Sequence, residues 1–220
     1  MLVHIINIIY NIKMNKIPIV IALDCGSIPY ISVLLDSIRK WIPNNKIYII
    51  TDRDIIIDGC EVLYKKNEYK CNISRITGHT FFRLFLDEII PETKCIYLDF
   101  DTIVMDNISE LLDGDDWMLK AVGNSGGYFN AGVLAFNFTD ECKILMQKCR
   151  DMISSGLNDQ DILNNVFRDK YRQINEVYNV NGNRYYQPDI NPKIIHYIGN
   201  MKPWKTPKTH MVWLNLKYNK

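Results

Sequence analysis

The 220-residue chain has no C-x-x-C pair among its six cysteines, Cys25, Cys60, Cys71, Cys95, Cys142 and Cys149. A structural zinc site needs ligands paired at such spacing, and a disulfide framework belongs to shorter, loop-rich chains. The thiols are therefore expected to be reduced and idle. An excess of one charge is also missing, since 26 Lys+Arg face 25 Asp+Glu. A duplex-binding surface needs a basic surplus and a disordered tail a strong imbalance, so a nucleic-acid partner is not expected. No apolar run reaches the ~20 residues of a membrane-spanning helix. The apolar stretch Met1–Tyr10 is interrupted by His4 and Asn7, with no basic leader and no small-residue cleavage site. A cytoplasmic protein with no transmembrane segment is the expectation. Residues 1–15 are expected to be flexible or to lie upstream of the true start, for which Met14 is an alternative.

Repeats, low-complexity tracts and Gly/Ser linkers are absent, with glycine at 11 and proline at 8. A single domain over 1–220 follows. Ile17–Leu23 is a short apolar run that reads as a buried parallel strand, ending in Asp24-Cys25-Gly26. Ile28, Ile31, Leu34, Leu35 and Ile38 recur at helical spacing, with Pro29 in the first turn where it is tolerated. Lys46–Ile50 and Glu61–Tyr64 read as further strands, Thr80–Ile90 as a helix stopped by Pro91, and Cys95–Phe100 as the next buried strand. Trp117–Val122 and Tyr128–Phe138 read as strands, and Thr139–Ser155 as a helix capped by Thr139 or Asp140. Asp159–Phe167 reads as a short helix and Lys193–Tyr197 as a last strand. This alternation predicts an α/β fold, a Rossmann-like, mostly parallel sheet flanked by helices, whose ligands bind beyond the carboxyl ends of the strands.

Four stretches carry polar residues where chemistry would sit. In Tyr97-Leu98-Asp99-Phe100-Asp101, side chains two apart on an extended chain point the same way, so both carboxylates would face one cavity. Two such carboxylates repel unless a cation lies between them, and oxygen ligands select a hard ion such as Mg²⁺ or Mn²⁺. A solvated turn is the plainer alternative. In His196-Tyr197-Ile198-Gly199-Asn200-Met201-Lys202-Pro203-Trp204, the imidazole suits a metal and the glycine backbone with the ammonium suits a phosphate. A hydrogen-bonded structural histidine is the alternative. Asn130, within Tyr128-Phe129-Asn130-Ala131-Gly132, either supports a β-bulge beside Gly132 or contacts substrate. Asp159, within Asp159-Gln160-Asp161-Ile162-Leu163-Asn164, either caps a helix or enters the site.

In order and spacing, these stretches together resemble glycosyltransferase family 8, which contains the glycogenins and bacterial lipooligosaccharide galactosyltransferases, from Ile19 to Trp204. The resemblance implies a GT-A fold, a UDP-sugar donor, Mn²⁺ (with Mg²⁺ an alternative) and retention of anomeric configuration. By that resemblance Asp99, Asp101 and His196 would ligate the metal, while Ala22 and Asp24 would hold the uracil and ribose, with backbone contacts from Phe100. Gly199 and Lys202 would grip the diphosphate. Arg83, Asn130, Asp159 and Gln160 would surround the sugar and its reacting carbon. Asp159 and Gln160 are candidates as nucleophile or as support for a front-face displacement. The family often has a polar residue where Gly26 stands.

The expected partners are a UDP-sugar and a glycan, lipid-linked sugar or protein acceptor, with a homodimer also considered. Only 28 residues separate Asp101 from Asn130, where many relatives carry a longer excursion on the acceptor side. Two alternatives to an enzyme with a separate acceptor remain. One is a non-catalytic UDP-sugar-binding module. The other is a self-glucosylating primer, since Val177-Tyr178-Asn179 resembles the glycogenin I-Y-N and Tyr186, beside Tyr185, stands eight residues beyond Tyr178.

Overall fold

A computed structural model describes residues 16–70, 77–182, 190–200, 202–205 and 211–218. The expectations placed on residues 1–15, Tyr185 and Tyr186 lie outside these described residues. Strands β1 (Ile17–Leu23), β2 (Asn45–Thr51), β3 (Cys60–Tyr64), β4 (Lys94–Leu98), β6 (Leu119–Gly123), β7 (Phe129–Asn137) and β8 (Arg172–Gln173) form one seven-stranded sheet in the order β3-β2-β1-β4-β7-β6-β8. β1, β2, β3 and β4 run parallel, and β7 runs antiparallel to both β4 and β6. Strands β5 (Thr102–Val104), β10 (Ile194–His196) and β9 (Val180–Asn181) make a second, three-stranded sheet in that order.

The unbroken apolar runs of β1, β2 and β4 have their reason in two-sided burial. Val20, Ala22, Tyr48, Ile50, Cys95 and Tyr97 face one core, whereas Ile19, Ile21, Leu23, Ile47, Ile49, Ile96 and Leu98 face the other. That is the alternation a pleated strand imposes when both faces are covered. Helix α1 (Ile31–Trp41) lays Ile31, Leu34, Leu35 and Ile38 on the second core, as their spacing predicts. The first core is closed by Phe81 and Phe82, helix α3 (Asp140–Asp151) and helix α4 (Asp159–Phe167).

The segment read as a helix from Thr80 to Ile90 is different in kind. Gly78–Phe85 winds as a 3₁₀ helix, and only Leu86–Ile89 continues as the α-helical turn α2. His79, Phe81, Phe82, Arg83 and Leu84 are all buried, so the segment has no solvated face on which a one-sided α-helical stripe could rest. The helix expected over Thr139–Ser155 ends at Asp151, and Ile153–Ser155 is again 3₁₀, closed by Gly156 at φ +85°. Helix α5 (Met211–Tyr218) follows the K-P-W stretch, and among the described residues no helix is long and apolar enough to cross a membrane.

Candidate active site

The carboxyl ends of β1 and β4 lie side by side, and the chain just beyond them bears Asp24 and Asp99. After Leu98 the backbone turns. Thr102 N–H and Oγ1 both donate to Asp99 O, at 3.1 and 2.8 Å, so Asp99-Phe100-Asp101 is a turn and not extended strand. The two carboxylates thus converge through that turn, which corrects the strand-alternation argument while keeping its result. The turn leads directly into β5, whose Thr102 pairs with His196 of β10. This pairing, with Tyr197 N–H donating to Asp101 O at 3.0 Å, delivers the imidazole to the carboxylates.

His196 Nε2 lies 3.3 Å from Asp101 Oδ1 and 3.7 Å from Asp99 Oδ2, and ligand atoms of all three residues fall within 4.8 Å of one another. The cluster fits tightly against β7. A Cβ on Gly132 would lie 2.0 Å from His196 Cε1 and 2.8 Å from Asp99 Oδ2, so only glycine lets these two side chains pack there. Asp101 Oδ1 is buried and makes no hydrogen bond. A buried, unsatisfied carboxylate oxygen beside a second carboxylate and an imidazole fits a divalent cation that accepts oxygen and nitrogen ligands, such as Mn²⁺ or Mg²⁺.

The electrostatics of the two aspartates diverge. Burial pushes Asp99 up, Arg83 opposes the rise, and the neighbouring Asp101 charge adds to it, leaving Asp99 above the usual carboxylate range. Burial would raise Asp101 too, but His196 and Lys202 pull it down to about 2. Lys202 Nζ donates to Asp101 Oδ2 and, at 2.7 Å, to Tyr197 O.

Arg83 is the buried cation of the site, at 3% exposure. Its Nη2 donates to Asp99 Oδ1 at 2.8 Å, its Nη1 to Ala131 O, and its Nε lies 3.0 Å from Asp159 Oδ2. Burial works against this charge, but Asp159 and Asp99 more than restore it and hold the guanidinium above its ordinary value. Tyr97 OH donates to the same Asp99 oxygen at 2.9 Å.

Asn130 Nδ2 and Ala131 N–H both donate to Gln160 Oε1, at 3.1 and 3.0 Å, while Asn130 Oδ1 accepts Gly132 N–H at 2.9 Å. Asn130 therefore braces the β7 backbone and also reaches Gln160. The cap of α4 is Asn158, whose side chain accepts Asp161 N–H at 2.9 Å, so Asp159 is released from capping and turns to Arg83.

Asp99, Asp101, His196, Lys202, Arg83, Asn130, Asp159 and Gln160 are thus brought together. The remaining expected residues line the same edge. Ala22 is buried within β1, and Asp24 Oδ1 accepts Ser27 N–H and Oγ–H at 2.8 and 2.6 Å, shaping the turn after β1. Phe100 meets Trp204, whose ring also stacks on Tyr30 at 4.3 Å between centroids, so the K-P-W segment is fastened over the Asp99–Asp101 turn and the start of α1. Gly199 has φ +78°, with nothing within 4 Å of where a Cβ would stand. Sequence reading missed Asn179, whose Oδ1 lies 2.9 Å from His196 Nδ1. The I-Y-N resemblance marked the position, but nothing in the sequence brings it to residue 196.

The chain is similar to known proteins in sequence and in fold. The chain is 32% identical over 204 residues to glycosyltransferase GlyA of Streptococcus pneumoniae, an alignment covering 81% of this chain and 28% of GlyA. It is 30% identical over 155 residues to human glycogenin-2, covering 64% of this chain and 29% of that one. It therefore spans less than a third of either relative. Among solved structures, S. pneumoniae glycosyltransferase GlyE superposes with a TM-score of 0.74 at 27% identity, covering 93% of this chain and 60% of GlyE. The galactosyltransferase LgtC, solved with donor and acceptor sugar analogs, superposes at 0.73 with 24% identity over 91% and 94% of the two chains, a likeness of fold, which is GT-A. Residues 32–207 match the family described as Glycosyl transferase family 8, and the chain belongs to that family.

Proposed function

We propose that the protein transfers a hexose, glucose or galactose, from a UDP-sugar to a separate acceptor, with Mn²⁺ and with retention of configuration. The convergence of Asp99, Asp101 and His196 around the unsatisfied Asp101 Oδ1 carries this reading. Asp99, Asp101 and His196 would hold the ion, which when bound supplies Lewis-acid stabilisation of the leaving diphosphate. Lys202, already at the edge of that cluster, is placed to share the diphosphate charge, so the leaving group needs no protonating carboxylic acid of the kind a glycosidase uses. Arg83 holds Asp159 and Asp99 at fixed spacing on the donor-sugar side.

The surroundings of Asp159 and Gln160 favour electrostatic support over nucleophilic attack. Asp159 is 3% exposed and paired with Arg83, and Gln160 Oε1 already accepts two hydrogen bonds. That favours a front-face displacement. A non-catalytic binding module would have no need of a buried Arg83 braced against the reacting side.

Calorimetry with UDP tests the reading: tight binding is expected with Mn²⁺ and little with EDTA. Equal affinity in both would sink it. Self-glycosylation is kept as a second reading because Asn181, five residues before Tyr186, pairs with His196 across β9 and β10. Incubation with UDP-glucose and Mn²⁺ followed by intact mass spectrometry would then show successive hexose additions, lost in the Tyr185→Phe/Tyr186→Phe double variant. Donor hydrolysis with no added mass leaves the separate acceptor.

A further inference from the structure

We infer that Asn179 is a positioning residue: it fixes His196 in the tautomer that turns a lone pair toward Asp99 and Asp101, and it links that ligand to Gln160 through a directed chain of amides. The inference rests on the metal reading above for its purpose, but its geometry stands independently.

Backbone N–H groups can only donate, and two of them orient the chain. Gly132 N–H points at one end of the Asn130 amide, 2.9 Å away, so that end is Oδ1. Ala131 N–H points at one end of the Gln160 amide, 3.0 Å away, so that end is Oε1. Asn130 must then offer Nδ2 to Gln160 Oε1, at 3.1 Å. Asn179 lies on the other side of Asn130 Oδ1 at 3.0 Å and can only offer its Nδ2 there. Its Oδ1 is left facing His196 Nδ1 at 2.9 Å, which must carry the proton.

The neutral ring therefore presents an unprotonated Nε2 toward Asp101 Oδ1 and Asp99 Oδ2, at 3.3 and 3.7 Å. Asn179 and His196 are 8% and 3% exposed, so water does not compete freely for either group. At the far end, Gln160 Nε2 donates to Tyr128 OH at 3.2 Å, and Tyr128 OH donates to Asp161. Both ends of the Gln160 amide are thereby tied, and one of the ties runs through two asparagines to the metal-facing imidazole.

The test reads the tautomer directly. The whole protein has four histidines, His4, His79, His196 and His210, so a long-range ¹H–¹⁵N correlation spectrum of metal-free protein at mildly alkaline pH is tractable, with His196→Gln identifying the His196 signal. Wild type is expected to show His196 protonated at Nδ1. Asn179→Leu removes the acceptor and should shift His196 toward the Nε2–H form and weaken Mn²⁺ binding ~10- to 100-fold by calorimetry, the usual scale for such an outer partner. Asn179→Asp keeps an acceptor and should keep the Nδ1–H form, while losing the donor to Asn130 and with it turnover. The inference is overturned by a wild-type His196 protonated at Nε2, or by a folded Asn179→Leu that keeps both tautomer and Mn²⁺ affinity. Should Asn179→Leu fail to fold, the wild-type and Asn179→Asp spectra decide. A wild type with the Nδ1–H form but no Mn²⁺ affinity would overturn the metal reading and leave the tautomer assignment supported.

Discussion

Lys202 reaches Asp101 from outside the sheet, on a segment held by the Trp204 stack on Tyr30. At this scale the sequence was most informative where chemistry leaves few choices: two carboxylates two residues apart, a histidine ending an apolar strand, and a lysine before Pro-Trp. It was least informative where a side chain's role depends on its neighbour. Nothing local distinguishes Gly132 from any other strand glycine, because its constraint is a ring contributed from residue 196. If Lys202 shares the charge of the proposed leaving group, Lys202→Ala should lower kcat by ~10²-fold, the usual scale for one preorganised electrostatic donor, with KM for the acceptor little changed. Steady-state kinetics with whichever of UDP-glucose or UDP-galactose the wild type consumes would check this, and an unimpaired variant would remove Lys202 from the chemistry.

Helix α4 illustrates how a cap at one residue frees the next side chain to turn elsewhere. Asn158 Oδ1 accepts Asp161 N–H and Asn158 Nδ2 donates to Asp161 Oδ2 at 2.6 Å, so the first turn begins at Asp159 and aims it at Arg83. Asp159 and Asn158 are equally good capping types, and only the partner waiting on the 3₁₀ helix decides between them. Asn158→Ala should cost about 1 kcal/mol of stability by urea denaturation, the usual worth of such a cap. The 3₁₀ winding of Gly78–Phe85 was likewise hidden, since Phe81, Phe82 and Leu84 fit a helical stripe by spacing. The strands were more legible. β1 runs over Ile17–Leu23 as read, and β2, β4 and β7 differ at their ends by one or two residues, because a strand buried on both faces, parallel or not, leaves an unbroken apolar run.

The second sheet joins the two ends of the site, and its brace is electrostatic. Glu110 accepts Tyr178 OH at 2.8 Å and Lys193 Nζ, so the approach to β9 and the start of β10 are fastened to the segment after β5. Burial pushes Glu110 up, but Lys193, its own backbone and Tyr178 outweigh that and hold it below the usual range. A depressed carboxyl contributes stability that is present above its unfolded pKa of about 4.3 and is lost as pH falls through the folded value. Glu110→Gln should therefore lower stability near neutral pH, by no more than about 1 kcal/mol for a partly exposed group, seen as a lower melting temperature. The gap to wild type should begin to close as pH falls past about 4.3 and be gone below the depressed folded value. A gap that stayed constant across that range would mean the brace is not ionic.

By itself the sequence determined the alternating elements, the two-faced core and the identity of the groups gathered at the sheet's carboxyl edge. Those follow from apolar periodicity and from residue chemistry, both of which are local. Only the tertiary structure decided that Asp99 and Asp101 meet through a turn, that Arg83 holds Asp159, and that Asn179 orients His196. Each depends on strands paired across long stretches of chain: β5 with β10, β4 with β7, β9 with β10. Pairing of that kind is fixed by burial of the whole sheet, and no single segment records it.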